Sequence, residues 1–220
     1  MSITSTTLRA QIIQACHQLE VAGLNRGTSG NISCREGDQF LITPSGVPTA
    51  QMQPASIVTM NFEGQVIGSG KPSSEWHFHS DLLRHRPELN AIVHTHSPNA
   101  TALACLREDL PAFHYMIAIA GGDSIRCAPY ALFGTQTLSD YAVTAMQDRK
   151  ACLLANHGLI AAGRDLDEAM AVAIEIESLC QQYLLARQHG QPVLLSTEEM
   201  QAVIERFRNY GRNVHSPEKN

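Results

Sequence analysis

At 220 residues, with 44% hydrophobic and 17% charged residues, the chain fits one globular domain, because a single hydrophobic core stays workable up to about 250 residues. No apolar run approaches the roughly 20 residues that a membrane span needs, and a net charge of −5 offers no general attraction to a nucleic-acid backbone. We therefore expect one domain over residues 1–220, with a flexible tail from about residue 212, and neither a membrane nor a nucleic acid as a partner.

The N-terminus and the cysteines indicate the cytoplasm. The first residues lack the basic flank, apolar stretch and small-residue cleavage site of a signal peptide, and their apolar spacing predicts a helix from about Thr6 to Ala22. Six cysteines are scattered without a CxxC pair, which argues against a secreted disulfide scaffold and against a zinc knuckle. We expect reduced thiols and a cytoplasmic protein.

Strands are predicted next along the chain, followed by a helix. Residues 31–44 and 57–67 carry the β-branched runs and turn residues of antiparallel strands. A helix is then expected to begin with Ser73 or Ser74 as its N-cap and to end at Pro87, which cannot continue it.

Apolar patterns also predict the elements of the C-terminal half. Ala91–His94 is a short apolar run typical of a strand, and residues 113–120 form another. From Ala169 to Leu184 apolar residues recur every three or four positions, which predicts a long helix, and a final helix is expected near Glu198–Arg208. Helices on both faces of a mainly antiparallel central sheet give a three-layer α/β/α fold.

Two histidines on a predicted strand suggest a metal site. His94 and His96, in the fragment IVHTH, are two positions apart, so on an extended strand both imidazoles leave the same face and can converge on one ion. Zinc binds imidazole nitrogen and carboxylate oxygen readily, and a catalytic zinc site generally has three protein ligands. A further ligand must therefore come from elsewhere in the chain.

Two histidines compete for that third position. His157 lies between an apolar run and Gly158, where a sharp turn can aim a side chain into a site. His79 lies four residues after Glu75 on the predicted helix, which is the spacing of paired helical metal ligands. His77 points to a different face of that helix, and we expect it to be structural. The spacing alone leaves His157 and His79 as alternatives.

Three polar segments of small residues are candidate anion sites, although each alone is typical of a turn. They are Gly27–Asn31, Thr43–Gly46 and Pro72–Ser74. Glycines let a backbone approach an anion, and a helix that begins near Ser73 adds free N–H groups and a favourable dipole. No Walker lysine motif or GxGxxG accompanies them, so a nucleotide is not indicated. Beside a metal, these segments suit a small sugar phosphate.

Eight segments, taken in order, resemble the class II aldolase family with the adducin-like fold. They are GLNRGTSGN, LITPSGVP, KPSSEW, VHTH, FHYMIAIAGG, CAPYALFGT, NHGLIA and RFRNYG. The similarity extends over almost the whole chain, and several long matches in one order are specific. The resemblance implies the family's α/β/α fold and a metal-dependent aldolase, which is an aldehyde-lyase.

The resemblance also implies a metal-ligand set. The implied ligands are Glu75, His94, His96 and His157. This choice favours His157 over His79, and it gives Glu75 a second role as the acid/base that works beside the metal. Zn²⁺ is the expected cofactor, with Mn²⁺ or Co²⁺ as other transition metals that suit the same donors.

The remaining implied roles divide the substrate into two ends. The residues implied to bind the phosphate are Thr28, Gly30, Asn31, Ser45, Gly46, Ser73 and Ser74. Tyr115 would handle the proton on the aldehyde-side oxygen. Phe133, Phe207 and Tyr210 would shape that end of the site. The resemblance further implies a homotetramer with active sites at subunit interfaces, so that Tyr115 and the C-terminal aromatics act across an interface.

The implied reaction is the reversible retro-aldol cleavage of a ketose 1-phosphate to dihydroxyacetone phosphate and an aldehyde. The metal would act as a Lewis acid, and Glu75 would move the proton at the nucleophilic carbon. L-fuculose 1-phosphate is the first candidate substrate, and a 5-deoxy- or 5-methylthio-pentulose 1-phosphate of nucleoside salvage is the alternative. Lys71 and Lys150 have no evident setting for a Schiff base.

Other functions within the family remain alternatives. Its epimerases, dehydratases and decarboxylases share much of the metal site, and its adducin-type proteins are interaction modules without catalysis. A purely structural module gives no reason to keep Glu75, His94, His96 and His157 together. The sequence therefore favours an enzyme of carbohydrate metabolism.

Overall fold

The computed structural model describes residues 3–209. Its helices are α1 (Ile3–Val21), α2 (Trp76–His85), α3 (Pro98–Leu106), α4 (Gln136–Ala145), α5 (Leu166–His189) and α6 (Thr197–Asn209). Its strands are β1 (Asn31–Glu36), β2 (Gln39–Ile42), β3 (Val58–Asn61), β4 (Val66–Ile67), β5 (Ala91–Thr95), β6 (Arg126–Ala128), β7 (Ala151–Leu154) and β8 (Gly158–Gly163). Tyr210 and the predicted tail from about residue 212 lie outside the described residues.

The eight described strands form one sheet in the order β4-β3-β2-β1-β5-β8-β7-β6. The sheet is mixed: β6 runs parallel to β7, and the six other pairings are antiparallel. The expectation of a mainly antiparallel sheet is corrected to a mixed sheet, because it missed the parallel pairing of β6 with β7. Helix α4 joins β6 to β7, and a helical crossover of this kind sets two neighbouring strands parallel, whereas a tight turn joins antiparallel ones.

Helices cover both faces of this sheet, as the alternation of side chains along β5 shows. Ala91 and Val93 belong to the core cluster that includes residues of α1, α3 and α5, whereas Ile92 belongs to the cluster that includes residues of α2 and α4. Successive residues of a strand point to opposite faces, so a strand covered on both sides is apolar throughout. The three layers are therefore α/β/α.

The long helix predicted from apolar spacing is confirmed as α5. Its first turn is capped by Asp165, whose Oδ1 accepts a hydrogen bond of 2.8 Å from the Glu168 N–H. At 24 residues it is the longest of the described helices. None of the helices between residues 3 and 209 combines the length and apolar character needed to cross a membrane.

The predicted serine cap of α2 is wrong. Glu75 occupies the N-cap position with φ −99° and ψ 15°, and no side chain caps the helix there. The Ser73 hydroxyl oxygen instead accepts a hydrogen bond of 3.3 Å from the Glu75 N–H. The chain thus enters α2 through a turn that places a carboxylate, rather than a hydroxyl, at the start of the helix.

The apolar run predicted as a strand over residues 113–120 is also corrected. It forms a 3₁₀ helix at Tyr115–Ala120, which begins where His114 Nδ1 accepts a hydrogen bond of 3.2 Å from the Met116 N–H. Gly121, with φ 88°, ends it in the left-handed region that glycine adopts without strain. The buried residues of this segment are Ile117, Ala118 and Ala120. Burial of one side of a short helix explains the apolar pattern.

Candidate metal and substrate site

Four side chains of types that can bind a metal meet at the ends of the central strands β5 and β8. His94 lies near the end of β5 and His96 follows that strand. His157 lies in the turn between β7 and β8, and Glu75 lies at the start of α2. Their ligand atoms all lie within 4.8 Å of one another.

The three imidazoles of this cluster are arranged almost symmetrically. Each pair of ring centroids is 4.9 Å apart, and each pair of ring planes crosses at 76° to 78°. The Nε2 atoms of His94 and His96 are 3.0 Å apart. Glu75 completes the set, with Oε2 at 3.3 Å from His94 Nε2 and Oε1 at 3.2 Å from His157 Nε2. Three nitrogens and a carboxylate therefore face one point.

A backbone carbonyl determines which nitrogen of His94 faces the cluster. Its Nδ1 lies 2.9 Å from the Leu159 carbonyl oxygen and donates a hydrogen bond to it, so Nε2 keeps its lone pair. Burial, together with the charges of His157 and His96, lowers the pKa of His94 to about 3 against the opposing effect of Glu75. The ring is therefore neutral at pH 7, which is the form that binds a metal.

Glu75 is ionised although it is buried. Burial by itself raises the pKa of a carboxyl group, but His94, His157 and the amide of Asn31 outweigh it and hold the pKa of Glu75 well below its usual range. Asn31 Nδ2 donates a 2.9 Å hydrogen bond to Oε2. Among residues 3–209, the buried Oε1 has no hydrogen-bond partner. An unpartnered carboxylate oxygen beside three imidazole nitrogens fits a divalent metal ion.

His79 supports this cluster but does not belong to it. The ring is fully buried, with Nδ1 at 2.7 Å from Ser33 Oγ and Nε2 at 2.5 Å from Asn31 Oδ1. Both ring nitrogens are therefore engaged by oxygen atoms. The amide of Asn31 lies between His79 and Glu75, with Oδ1 toward His79 and Nδ2 toward Glu75. These two contacts determine the orientation of the amide. The rival ligand from the sequence is thus part of the scaffold behind Glu75.

The turn that carries His157 is tightly constrained. Asn156 adopts φ 54°, and its backbone N–H donates a 3.0 Å hydrogen bond to the Ala104 carbonyl oxygen. A Cβ atom at Gly158 would lie 2.3 Å from the Thr95 carbonyl oxygen. Glycine therefore lets β8 begin directly against the end of β5, which brings His157 beside the histidines of that strand.

The cluster opens into a pocket of about 390 Å³, which is within the size range of small-molecule sites. All the residues expected to bind phosphate line it, namely Thr28, Gly30, Asn31, Ser45, Gly46, Ser73 and Ser74. Two of the polar segments form one platform, because the Ser45 N–H bonds to the Lys71 carbonyl at 2.9 Å and the Ser73 N–H to the Thr43 carbonyl at 3.0 Å.

The same pocket contains residues that sequence reasoning did not single out. Tyr130, Ala131 and Asn156 line it together with Phe133, which had been expected at the aldehyde end. Tyr130 and Asn156 lie within the segments CAPYALFGT and NHGLIA, so the family pattern pointed to their neighbourhood. No spacing rule distinguishes them from ordinary loop residues.

Tyr115 and Phe207 lie apart from this pocket. Both line a separate, largely apolar pocket together with Met116, Val203 and Arg206. Tyr115 is 51% exposed and Phe207 is 37% exposed. Within the described part of one chain, Phe133 is thus the one expected aldehyde-side residue that reaches the metal cluster's pocket. Tyr210 is outside the described residues.

Residues 10–184 match the family described as Class II Aldolase and Adducin N-terminal domain. The chain belongs to this family. A 5-methylthioribulose-1-phosphate/5-deoxyribulose-1-phosphate aldolase of Rhodospirillum rubrum is 51% identical over 210 residues, which cover 96% of this chain and 95% of the relative. The L-fuculose phosphate aldolase of Escherichia coli K12 is 45% identical over 208 residues, which cover 94% of this chain and 97% of the relative.

A solved L-fuculose 1-phosphate aldolase has the same fold, with a TM-score of 0.90 and 40% identity over 94% of this chain and 98% of that chain. The α/β structure described above is therefore the class II aldolase fold. With relatives of this similarity, the protein is an enzyme, a class II aldolase, and the interaction-module alternative is set aside. Class II aldolases depend on a metal, and the cluster of Glu75 and three histidines is where this chain can hold one.

Proposed function

We propose that the protein is a zinc-dependent aldolase that reversibly cleaves a ketose 1-phosphate to dihydroxyacetone phosphate and an aldehyde. The observation that carries this proposal is one pocket that joins the Glu75 and histidine cluster to the hydroxyl- and glycine-rich loops. The candidate substrates are L-fuculose 1-phosphate and the 5-deoxy- or 5-methylthio-pentulose 1-phosphates. Relatives that are more than 40% identical to this chain are named as aldolases of one class or the other, which supports the proposal.

The metal in this proposal is held by Glu75, His94, His96 and His157. When bound, it supplies a Lewis acid that polarises the ketone of the substrate. Zinc is our first choice because imidazole nitrogens and a carboxylate are its usual donors, and Mn²⁺ or Co²⁺ also accept them.

Glu75 is the proposed acid/base. It is ionised and buried, and Asn31 donates a hydrogen bond to Oε2, while Oε1 has no hydrogen-bond partner among residues 3–209 and lies 3.2 Å from His157 Nε2. A carboxylate so placed is suited to take and return the proton at the carbon that becomes nucleophilic. The phosphate is proposed to bind to the hydroxyls of Ser45, Ser73 and Ser74 and to nearby backbone N–H groups, because this platform offers neutral donors at the start of α2.

We further propose a cytoplasmic homotetramer in which Tyr115, Phe207 and Tyr210 complete the site of a neighbouring subunit. The support is that Tyr115 and Phe207 are exposed together on one apolar surface, away from the pocket of their own chain. Tyr115 would then protonate and deprotonate the aldehyde-side oxygen.

The test is a product assay with the zinc-loaded protein. L-fuculose 1-phosphate, 5-deoxyribulose 1-phosphate and 5-methylthioribulose 1-phosphate are supplied separately, and dihydroxyacetone phosphate is followed through NADH oxidation by glycerol-3-phosphate dehydrogenase. We expect cleavage of at least one substrate, and loss of that activity after chelation. Isomerised, dehydrated or decarboxylated products without dihydroxyacetone phosphate would instead favour the other family reactions, and the aldolase proposal would fail.

A further inference from the structure

The turn before His157 is fixed to the end of α3 by Arg107. Arg107 Nε donates a 2.8 Å hydrogen bond to Asn156 Oδ1. The backbone N–H groups of Arg107 and Asn156 both donate to the Ala104 carbonyl oxygen, at 3.1 and 3.0 Å. The guanidinium carbon of Arg107 also lies 6.0 Å from the centroid of the Tyr130 ring. Side chain and backbone of Asn156 are therefore both held in place.

The contact with Arg107 determines which end of the Asn156 amide faces the pocket. Arginine Nε is a donor and never an acceptor, so the amide atom that faces it must be the oxygen, Oδ1. The amide nitrogen Nδ2 then points away from Arg107, and it has no acceptor among residues 3–209. Asn156 is exposed and lines the pocket of the metal cluster. Two N–H donors without an acceptor in the described part of the chain are thus available at the wall of this pocket.

The position of Asn156 assigns these donors to one part of the substrate. The phosphate is accounted for by the small polar loops, and the ketone by the metal cluster. The lining that remains is formed by Tyr130, Ala131, Phe133 and Asn156. Within one chain, these residues are the wall left for the aldehyde half, and Asn156 directly precedes the proposed ligand His157.

We propose that Asn156, oriented by Arg107, is a specificity-determining residue that donates a hydrogen bond to a hydroxyl of the aldehyde half. The inference rests on the proposed function. The favoured ligands are ketose 1-phosphates whose aldehyde half carries a hydroxyl beside the carbonyl carbon, as in L-fuculose 1-phosphate. A 5-deoxypentulose 1-phosphate has no hydroxyl there, so it gains nothing from this donor.

The test compares kcat/KM for L-fuculose 1-phosphate with kcat/KM for 5-deoxyribulose 1-phosphate in the same protein preparations. Asn156→Asp keeps the size of the side chain, an oxygen toward Arg107 and tolerance of a positive φ, but it replaces the N–H donors by an acceptor. We expect the ratio of the two values to fall about fivefold or more, which is the effect of losing one hydrogen bond. Arg107→Met, which frees the amide to rotate, should lower the ratio less.

A matched control is Asp148→Asn, which makes the reverse substitution between the same two residue types at another exposed position with φ 56°. This variant should keep the ratio of the wild type. Zinc content per chain should be unchanged in Asn156→Asp, because the residue is not a ligand in this proposal. Loss of zinc would mean that Asn156 acts only by holding His157, and it would overturn the inference.

The remaining outcomes separate this inference from the proposed function. A wild type that cleaves both substrates, with variants that keep its ratio or lose both activities equally, overturns the specificity role alone. Wild-type activity confined to 5-deoxyribulose 1-phosphate also overturns that role. A wild type that cleaves neither substrate, nor 5-methylthioribulose 1-phosphate, overturns the proposed function and the inference with it.

Discussion

Glu75 illustrates how the surroundings of one residue determine its chemistry. Carboxylates are rarely buried without a partner, because removing a charge from water is costly. Here the cost is reduced by the amide of Asn31, which donates to Oε2, and by His157, whose Nε2 lies 3.2 Å from Oε1. The Oε1 oxygen nevertheless has no hydrogen-bond partner among residues 3–209, which is the state expected of a metal ligand or a base.

Glu75→Gln keeps the shape of the side chain but removes its charge and basicity. We expect dihydroxyacetone phosphate formation to fall by about 100-fold or more, since acid–base catalysis contributes about 10²–10⁴-fold. Zinc content should fall too, because a neutral amide is a weaker ligand. Coupled rate assays and elemental analysis measure both effects. Glu63→Gln, at an exposed site between β3 and β4, is the control, and full activity with zinc retained in Glu75→Gln would contradict the assignment.

Ser73 and Ser74 allow a separate test of the proposed phosphate site. Replacing both by alanine removes two hydroxyls and leaves the backbone N–H groups. Because a hydrogen bond to a charged group contributes about 1.5–3 kcal/mol, we expect KM for the ketose 1-phosphate to rise about tenfold or more. The value of kcat should change little, since this binding is common to substrate and transition state. Steady-state kinetics measure both constants, with Ser178→Ala on α5 as the control variant. An unchanged KM would count against the proposed phosphate site.

At the scale of elements, α2 gives its two histidines different environments. His77 stacks on Trp76, with ring centroids 3.9 Å apart, whereas His79 faces the sheet and is fully buried. His94 lies in β5 and His96 directly follows it. Because side chains alternate along an extended chain, both imidazoles point to the same face. The third histidine comes from a turn, and only the pairing of β8 with β5 brings that turn to the site.

Substitution of the two rival histidines tests this arrangement. We expect His157→Ala to lose most of its zinc and His79→Ala to retain it. The latter should instead lower the free energy of unfolding by about 1–3 kcal/mol, because Ser33 and Asn31 lose their buried hydrogen-bond partner. Elemental analysis and urea unfolding measure the two effects, with His189→Ala at an exposed site as the control. The opposite pattern of zinc loss would exchange the roles of His157 and His79.

At the scale of the whole molecule, the separation of Tyr115 from the metal pocket is the main feature. Tyr115 and Phe207 form part of an exposed apolar surface on the chain. In a closed symmetric assembly, every copy of such a surface meets the same patch of a neighbour. Some residues of a site shared between subunits would therefore lie away from the pocket of their own chain.

Complementation between two impaired variants tests the shared site. If Glu75 and Tyr115 of one site come from different chains, random assembly of Glu75→Gln with Tyr115→Phe should restore about a quarter of the sites. Activity of the co-expressed proteins, with the mass from light scattering, measures this. Glu75→Gln with His157→Ala, two defects of one pocket in the same chain, should show no recovery. Absence of recovery from the first pair would contradict the shared site.

Much of the fold followed from local patterns, and the errors have local causes. The strand at Ala91–His94 and the helix α5 were predicted correctly, because their periodicities of two and of three to four differ clearly. Residues 113–120 were mistaken for a strand, because a short apolar run has no clear period. The parallel pairing of β6 with β7 went unpredicted, because strand direction depends on the path of the whole connection.

The sequence by itself determined the enzyme family, the pair of His94 and His96, and the loops that line the pocket. The histidine pair and the loops could be inferred from residues close together in the sequence, whose relative positions follow from local backbone geometry. The family could be inferred from the order of the motifs. Spacing left His157 and His79 open and the resemblance favoured His157; tertiary structure places His157 in the cluster, because β8 pairs with β5 from Ala91↔Gly163 to Thr95↔Leu159 and so carries its preceding turn there. It also decided the fixed amide of Asn156 and the separate position of Tyr115. Such contacts join distant segments, and no local spacing encodes them.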